Sequence, residues 1–344
     1  MLEIDCSKGE GGGQMVRTSV AMAAITGTKT RLFKIRENRP TKGLSKQHCA
    51  AVKAVTKMTG ATVQGNSPGS RELTITPGDG MDYDVHVDIR SAGSISLVLQ
   101  AMILAGIKHD RTHTMTVSGG TNVLWAPPID FYPQLLFPLM GRMGIDARME
   151  ILERGFFPEG GGKVRVTVEP VGRIKPLNLD TLGPLKSVGG VCFVKNLPDR
   201  VPEQIIAGAK EVLDPVHRSE IALERSSKGR SKGAGLSLVA TYGNGMLGAN
   251  SLSMHRDPPK NAGRDAGRDL LREMESGATL DVNTADQLLP YMAMADGVSS
   301  FTAPRISRHL LSQMDTLETF LDVRFGVERR DGIYHFTVTP GECG

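Results

Sequence analysis

Residues 73–78 read LTITPG, and the chain writes nearly the same ending twice more, as VTVEP at 166–170 and TVTPG at 337–341. Apolar and polar side chains alternate up to a proline, as expected of a strand with one buried face that ends where the proline removes a ladder donor. Each ending has a partner strand just before it: ATVQG at 61–65, DARMEIL at 146–152 and VRFGVER at 323–329. Further back lies an amphipathic helix, at 43–60, 130–144 and 307–321. A short β-like run precedes it, at 30–35, 113–119 and 299–303. Before that run comes another helix, at 11–27, 91–106 and 284–297. The same order of elements three times over predicts three copies of a two-helix unit with about four strands, helices on one face of the sheet. The fold class is therefore α+β.

The copies are unevenly spaced. The first two begin about 80 residues apart, the second and third about 190. Some hundred residues interrupt the series, and the sequence places them at 183–277 as a small α+β domain inserted in a surface connection. The large domain is then 1–182 together with 278–344. Within the insertion, GNGMLG at 243–248 matches a dinucleotide-binding pattern, but no helix follows it, and a hairpin turn is the better reading. The run KGRSKG at 228–233 is most simply a flexible charged loop, with a grip on RNA as its alternative.

Composition sets bounds without deciding. The net charge of +4 and a pI near 8.8 suit nucleotide or nucleic-acid partners without requiring them. Aromatic residues are 5% of the chain, so stacking on bases has few side chains to rest on. Cys6, Cys49, Cys192 and Cys343 are far apart and fit no zinc spacing, which reads as reduced thiols in a cytoplasmic protein. No apolar run reaches transmembrane length, and no membrane role is expected.

Chemistry gathers at helix starts. KGEGGGQ at 8–14 opens the first helix, where free amides and permissive glycine geometry suit phosphate, and Arg17 lies one turn on. A tight turn with Glu10 steadying the helix dipole is the plain alternative. The loop after the first strand supplies Arg36, Arg39, Lys42 and Lys46, then Gln47 and His48 in the first turn of the next helix. Guanidinium forks suit phosphate oxygens, though a solvated basic loop explains a charge run too. In the third copy Ser307 reads as an N-cap with His309 just inside the helix, where the positive end favours the neutral, nucleophilic imidazole. Asp286 and Gln287 also begin a helix, and a carboxylate there could hold His309 in one tautomer.

Taken together, GEGGGQ, RPTKGLSKQH, SAGSISLVLQ, SGGTNVLWAPP, GFFPEGGG, ADQLLPYMA and SRHLL, in this order over nearly the whole chain, resemble the RNA 3′-terminal phosphate cyclase family. The resemblance implies three repeats with a small domain inserted before the last. It implies ATP as cofactor, RNA with a 3′-terminal phosphate as partner, and a three-step reaction through a covalent histidine–AMP. His309 matches the nucleophile and Asp286 would position it. Arg17, Arg36 and Arg39 would hold phosphates, with Gln47 and His48 beside them; Arg17 and Arg39 count with His309 and Asp286 as catalytic. Gln100 and the segment Asn283, Thr284, Ala285, Asp286 and Gln287 would line the nucleotide pocket. The family often has an aromatic ring near position 283; with Asn283 there, adenine would pack on Trp125 or Pro127. A divalent metal, magnesium or manganese, would assist, and Glu10 is its expected ligand, turning an awkward carboxylate beside phosphates into a bridge through the cation. Two alternatives remain: a silent cyclase-like ribosome-assembly factor, which in this family lacks the histidine, and an enolpyruvyl transferase of similar repeat architecture.

Overall fold

The structure is a computed structural model and describes residues 1–9 and 11–341. The chain is mixed α and β, with four sheets among the described residues. The first sheet holds β1 (Leu2–Asp5), β2 (Thr30–Phe33), β3 (Thr62–Gln64) and β4 (Leu73–Thr76) in the order β1-β2-β4-β3. β1 runs parallel to β2, which requires a crossover, and helix α1 (Gly13–Thr26) supplies it. Helix α2 (Lys46–Thr59) joins β2 to β3. The second sheet repeats the order with β5 (Asp84–Asp88), β6 (His113–Gly119), β7 (Ala147–Glu153) and β8 (Gly162–Val168), as β5-β6-β8-β7. Its crossover is α3 (Ile95–Ala105), and α4 (Phe137–Arg142) precedes β7.

A third sheet follows in the chain: β9 (Leu185–Lys195), α5 (Arg200–Leu213), β10 (Ser219–Ser226), β11 (Gly233–Tyr242), β12 (Met246–Leu252) and α6 (Pro259–Glu275), ordered β10-β9-β11-β12. Here 243–245 turn the β11–β12 hairpin and 227–232 join β10 to β11, so the GNGMLG pattern is a hairpin. The last elements are α7 (Val282–Ala293), β13 (Ser299–Ala303), α8 (Arg308–Phe320), β14 (Val323–Arg330) and β15 (Ile333–Pro340), with β13-β15-β14 as the sheet. On the open side of β13, Asn178 pairs parallel with Ser300, Ser300 N donates to Leu177 O at 3.1 Å, and Leu179 N donates to Ser300 O at 2.8 Å. That segment stands beside β13 as β1 stands beside β2.

The closing strands show why the alternation matters. In β8 Val164, Val166 and Val168 are buried while Lys163 and Arg165 face water; Leu73 and Ile75 of β4 and Phe336 and Val338 of β15 are buried likewise. These side chains belong to one large apolar core that also takes the inner faces of α1, α2, α3, α7 and α8. A separate core, built on Cys192, Val194, Leu236 and Leu238, is covered by α5 and α6. The long second helix expected at 130–144 is instead a π-helical turn (Tyr132–Leu136) followed by the six residues of α4. Pro138 has no N–H to give and Phe137 N donates back to Tyr132 O, so the ladder slips by one residue. Cys6, Cys49 and Cys192 are free thiols; Cys343 lies outside the described residues. No helix among the described residues is long and apolar enough to cross a membrane.

Candidate active site

Five helices bring their N-terminal halves to one cleft of about 700 Å³. Gly12, Gly13, Gln14 and Arg17 come from the start of α1, and Ser45, Gln47 and His48 from the start of α2. Leu97 and Gln100 of α3, Asn283, Asp286 and Gln287 of α7, and His309 of α8 complete it. Helix starts carry partial positive charge and unsatisfied amides, so their convergence makes a site for anions before any side chain is counted. α2, α3, α7 and α8 are capped by the side chains of Ser45, Ser94, Asp281 and Ser307. α1 has Gly12 at its cap, which offers no capping side chain.

His309 is exposed at this cleft in the first turn of α8. Its Nδ1 lies 2.5 Å from Gln14 Oε1. The orientation of Gln14 is set by what its other atom does: Gln14 Nε2 donates to Gln313 Oε1 at 2.7 Å. That oxygen also accepts from Thr18 Oγ1 at 3.0 Å, and Gln313 Nε2 donates to the Asp286 carbonyl at 3.3 Å. The Gln14 oxygen therefore faces the ring, and Nδ1 must carry the proton. In the neutral ring the lone pair then sits on Nε2. Asp286 is buried, and its carboxylate accepts from Ser307 Oγ at 2.8 Å, while the same Ser307 oxygen caps the Leu310 amide at 2.8 Å. Asp286 thus fastens α7 to the helix start that presents His309.

The basic side is equally specific. Arg17, 7% exposed, donates from Nε to Gln100 Oε1 at 3.0 Å. Arg36 has φ +56°, a left-handed conformation that a non-glycine residue rarely holds. Its guanidinium lies near the Gly43 carbonyl at 3.4 Å, and burial, then the charge of Arg39, push its pKa down. Arg39 lines the same wall. Crowded cations of this kind are what an anion relieves. Lys42 is held instead by Glu37 at 2.7 Å, and it and Lys46 are not part of the cleft wall. His48 accepts at Nδ1 from the Ser45 amide at 3.1 Å while Ser45 Oγ accepts from His48 N at 3.3 Å, a reciprocal cap. Burial, then Arg17 and Arg36, hold its pKa down near 3, so the ring is neutral with its proton on Nε2, which lies against Gly13. Gln47 Oε1 accepts the Ser94 amide at 2.9 Å and ties α2 to the cap of α3.

Asn283, Gln287, Pro127 and Trp125 also line the cleft. Asn283, Asp286 and Gln287 share one face of α7 at helical spacing, so Thr284 and Ala285 fall on the other. Thr284 Oγ1 donates to Asp281 Oδ2 at 2.6 Å and Ala285 is fully buried, and neither is among the residues lining the cleft. The Pro127 carbonyl accepts from Ser96 Oγ at 2.6 Å, which fixes its loop against α3. Glu10 lies outside the described residues. Among the described residues no three His, Cys, Asp or Glu side chains cluster as a metal site.

The sequence reading missed Gln14, Gln313, Thr18 and Asn250. Gln313 stands one turn beyond His309, and Gln14 one turn before Arg17, so helical spacing from the named residues would have found these two.

The sequence model of the RNA 3′-terminal phosphate cyclase family matches residues 8–327. The chain belongs to that family. Among its relatives, a protein of Methanopyrus kandleri named RNA 3′-terminal phosphate cyclase is 39% identical over 339 residues, 96% of each chain. One of the same name from Nitrosospira multiformis is 40% identical over 344 residues, 99% of this chain and 97% of its own. Another from Archaeoglobus fulgidus is 37% identical over 322 residues, 93% and 96% respectively. Within the matched range, RPTKGLSKQH, SAGSISLVLQ, ADQLLPYMA and SRHLL each hold residues that line the cleft.

Proposed function

We propose that this chain is an ATP-dependent RNA 3′-phosphate cyclase of the ligase class. His309 Nε2 attacks the α-phosphorus of ATP, the bond to the β-phosphate oxygen breaks, and pyrophosphate leaves. An oxygen of the RNA 3′-phosphate then displaces the histidine from that phosphorus. The neighbouring 2′-OH attacks the activated 3′-phosphorus, AMP departs, and a 2′,3′-cyclic phosphodiester remains. Splitting the transfer gives a poor electrophile a good leaving group. Arg17, Arg36 and Arg39, with the open start of α1, neutralise the phosphates. Gln14 holds the proton on Nδ1, and Asp286 holds the helix start. Adenine lies against Pro127, Asn283, Gln287 and Gln100. Glu10 is the proposed ligand of a divalent cation, which supplies further charge neutralisation when bound.

The observation that carries this reading is the Gln14–His309 hydrogen bond at the edge of an arginine-walled cleft. We also read the fold as three repeats over 1–182 and 278–344 with 183–277 inserted. The recurring strand order and the separate second core support it. The cytoplasm is the proposed compartment, in keeping with the three free thiols. Incubation with α-labelled ATP should leave an acid-labile AMP on the protein, and a 3′-phosphorylated oligonucleotide should cyclise only with ATP. An adduct, or cyclisation, that survives His309→Ala would sink the assignment.

A further inference from the structure

A second cavity, of about 330 Å³, adjoins the cleft. The two share Trp125, Ala126 and Asn250 as lining, so the Trp125 loop is the wall between them. Trp125 is the chain's sole tryptophan, yet it is 97% exposed. It also holds φ +65°, an unfavourable conformation for a bulky side chain. Such a residue keeps that conformation only where its surroundings over-determine it. They do here. Thr121 N donates to Gly155 O at 2.8 Å, Ile129 N closes the loop on Thr121 O at 3.0 Å, and Ser96 grips the Pro127 carbonyl. At the loop's base Asp130 accepts two hydrogen bonds from buried Arg154, at 2.7 and 2.9 Å. A rigid mount that presents an indole to solvent between two cavities is a stacking platform in want of a planar ligand.

The far cavity is shaped for a base rather than a phosphate. Its lining combines apolar Leu124, Trp125 and Met254 with polar Asn250, Asn261, Asp257 and Asp265. Carboxylates repel a phosphate but accept from N–H groups on a base edge. Asp265 stands 3.6 Å from Arg268 on the exposed face of α6, an ion pair that water already screens. Single-stranded RNA is read in this way, with bases stacked on aromatic rings and their pairing edges hydrogen-bonded.

We propose that the second cavity holds the base of the nucleotide preceding the terminal one, stacked on Trp125, with Asp257 and Asp265 facing its pairing edge. This rests on the proposed function, which puts the terminal nucleotide and its 3′-phosphate in the cleft. The next base 5′ to it is the first one beyond the Trp125 wall. Guanine, with adjacent N1–H and N2–H donors, suits a carboxylate best. Uracil, with one donor flanked by two carbonyls, suits it least.

The lone tryptophan makes the test direct. Tryptophan emission should be quenched by 3′-phosphorylated trinucleotides and not by ATP or a nucleoside 3′-monophosphate. Filter binding should show an affinity order with guanosine above uridine at the penultimate position, and about a tenfold loss when that position is abasic. Trp125→Ala should weaken trinucleotide binding about tenfold more than it weakens nucleoside 3′-monophosphate binding, with Trp125→Phe recovering most of that difference. Equal quenching by ATP alone would make Trp125 an adenine wall and overturn the proposal, as would equal affinity for the abasic trinucleotide or no binding of trinucleotides. Equal affinity for guanosine and uridine would overturn the role of the two carboxylates. Formation of the AMP adduct from ATP is scored separately; its failure strikes the proposed function and not the RNA subsite.

Discussion

Gln14 Oε1 lies 2.5 Å from His309 Nδ1, across 295 residues of sequence. The contact exists because α1 and α8 lie side by side, and it decides which ring nitrogen bears the lone pair. Gln14 cannot turn its amide round without setting its NH₂ against the ring and its oxygen against Gln313 Oε1. Its place is that of the carboxylate partner of a catalytic histidine, but it is uncharged, so it orients the ring and favours the imidazolium less than a carboxylate would.

Gln14→Leu should therefore leave the fold intact and slow AMP transfer to His309. A hydrogen bond that strengthens as charge develops on the ring contributes about 1.5–3 kcal/mol, which is roughly a 10- to 100-fold loss of rate. Single-turnover labelling with α-labelled ATP measures it. A rate within twofold of wild type would mean that some other group holds the tautomer.

Gly13 offers a sterically defined test of the α1–α2 junction. A Cβ there would sit 2.1 Å from His48 Nε2 and 3.0 Å from Arg17 Nη1. The His48 ring cannot swing aside freely, because its reciprocal cap with Ser45 holds it. Gly13→Ala should displace His48 or the start of α1 and raise the KM for ATP at least tenfold, with the rest of the protein folded. Steady-state kinetics and circular dichroism check the two halves of that statement. An unchanged KM would show that the junction yields by a small rotation.

Much of this architecture is visible in the sequence because its determinants are local. The alternation in LTITPG, VTVEP and TVTPG and the caps before Lys46 and Arg308 are written within a few residues of the elements they set. Arg36, Arg39 and His48 were readable for the same reason. β1 and β5 were not singled out: LEID and DVHVD are short and rich in acidic residues. The segment 177–179, Leu-Asn-Leu, alternates over three residues only, too short a run to stand out, and it pairs with the edge of β13. The Gln14–Gln313–Asp286 relay and the Arg154 cluster depend on helices and sheets far apart in sequence, and no local spacing announces them. Thr284 and Ala285 lie on the face of α7 turned from Asn283, Asp286 and Gln287, a distinction that a contiguous stretch of sequence does not display.

Acid should destabilise the fold through histidines that are buried uncharged. Burial, then Arg17 and Arg36, hold His48 near 3 against an ordinary 6.5, and burial, then His109, holds His113 near 4; burial also lowers His109. A folded-state pKa below the unfolded one means that the unfolded chain binds the extra proton. Stability is then full above about pH 6.5 and falls as pH drops toward each folded value, by up to about 1.4 kcal/mol per pH unit for each histidine. Urea midpoints at pH 7.0, 5.5 and 4.5 should decline steadily, and His113→Phe should flatten that decline. Parallel slopes for the variant and wild type would assign the acid limb to carboxylates instead.

Arg154 joins the loop that carries Trp125 and Pro127 to the sheet of β9–β12. It is 1% exposed and forks onto Asp130 on one side and Glu224 on the other, at 2.6–2.9 Å, with Phe193 beneath its guanidinium at 4.7 Å. Burial works against its charge, and the Glu224 and Asp130 carboxylates more than restore it. The two partners are unequal: Asp130 is 4% exposed, while Glu224 is 46% exposed and can return to water. Removing the arginine therefore strands one carboxylate, that of Asp130, and breaking a buried pair in this way costs about 3–5 kcal/mol. Arg154→Met should destabilise by that amount in urea unfolding. Asp130→Asn in the same chain should recover a good part of it, since a neutral amide needs no counter-charge. Because Asp130 anchors the loop, the single variant should also weaken trinucleotide binding, whereas the AMP-transfer step, whose groups lie on α1, α7 and α8, should fall less. A double variant no more stable than Arg154→Met would show that lost packing against Phe193, and not the stranded charge, dominates.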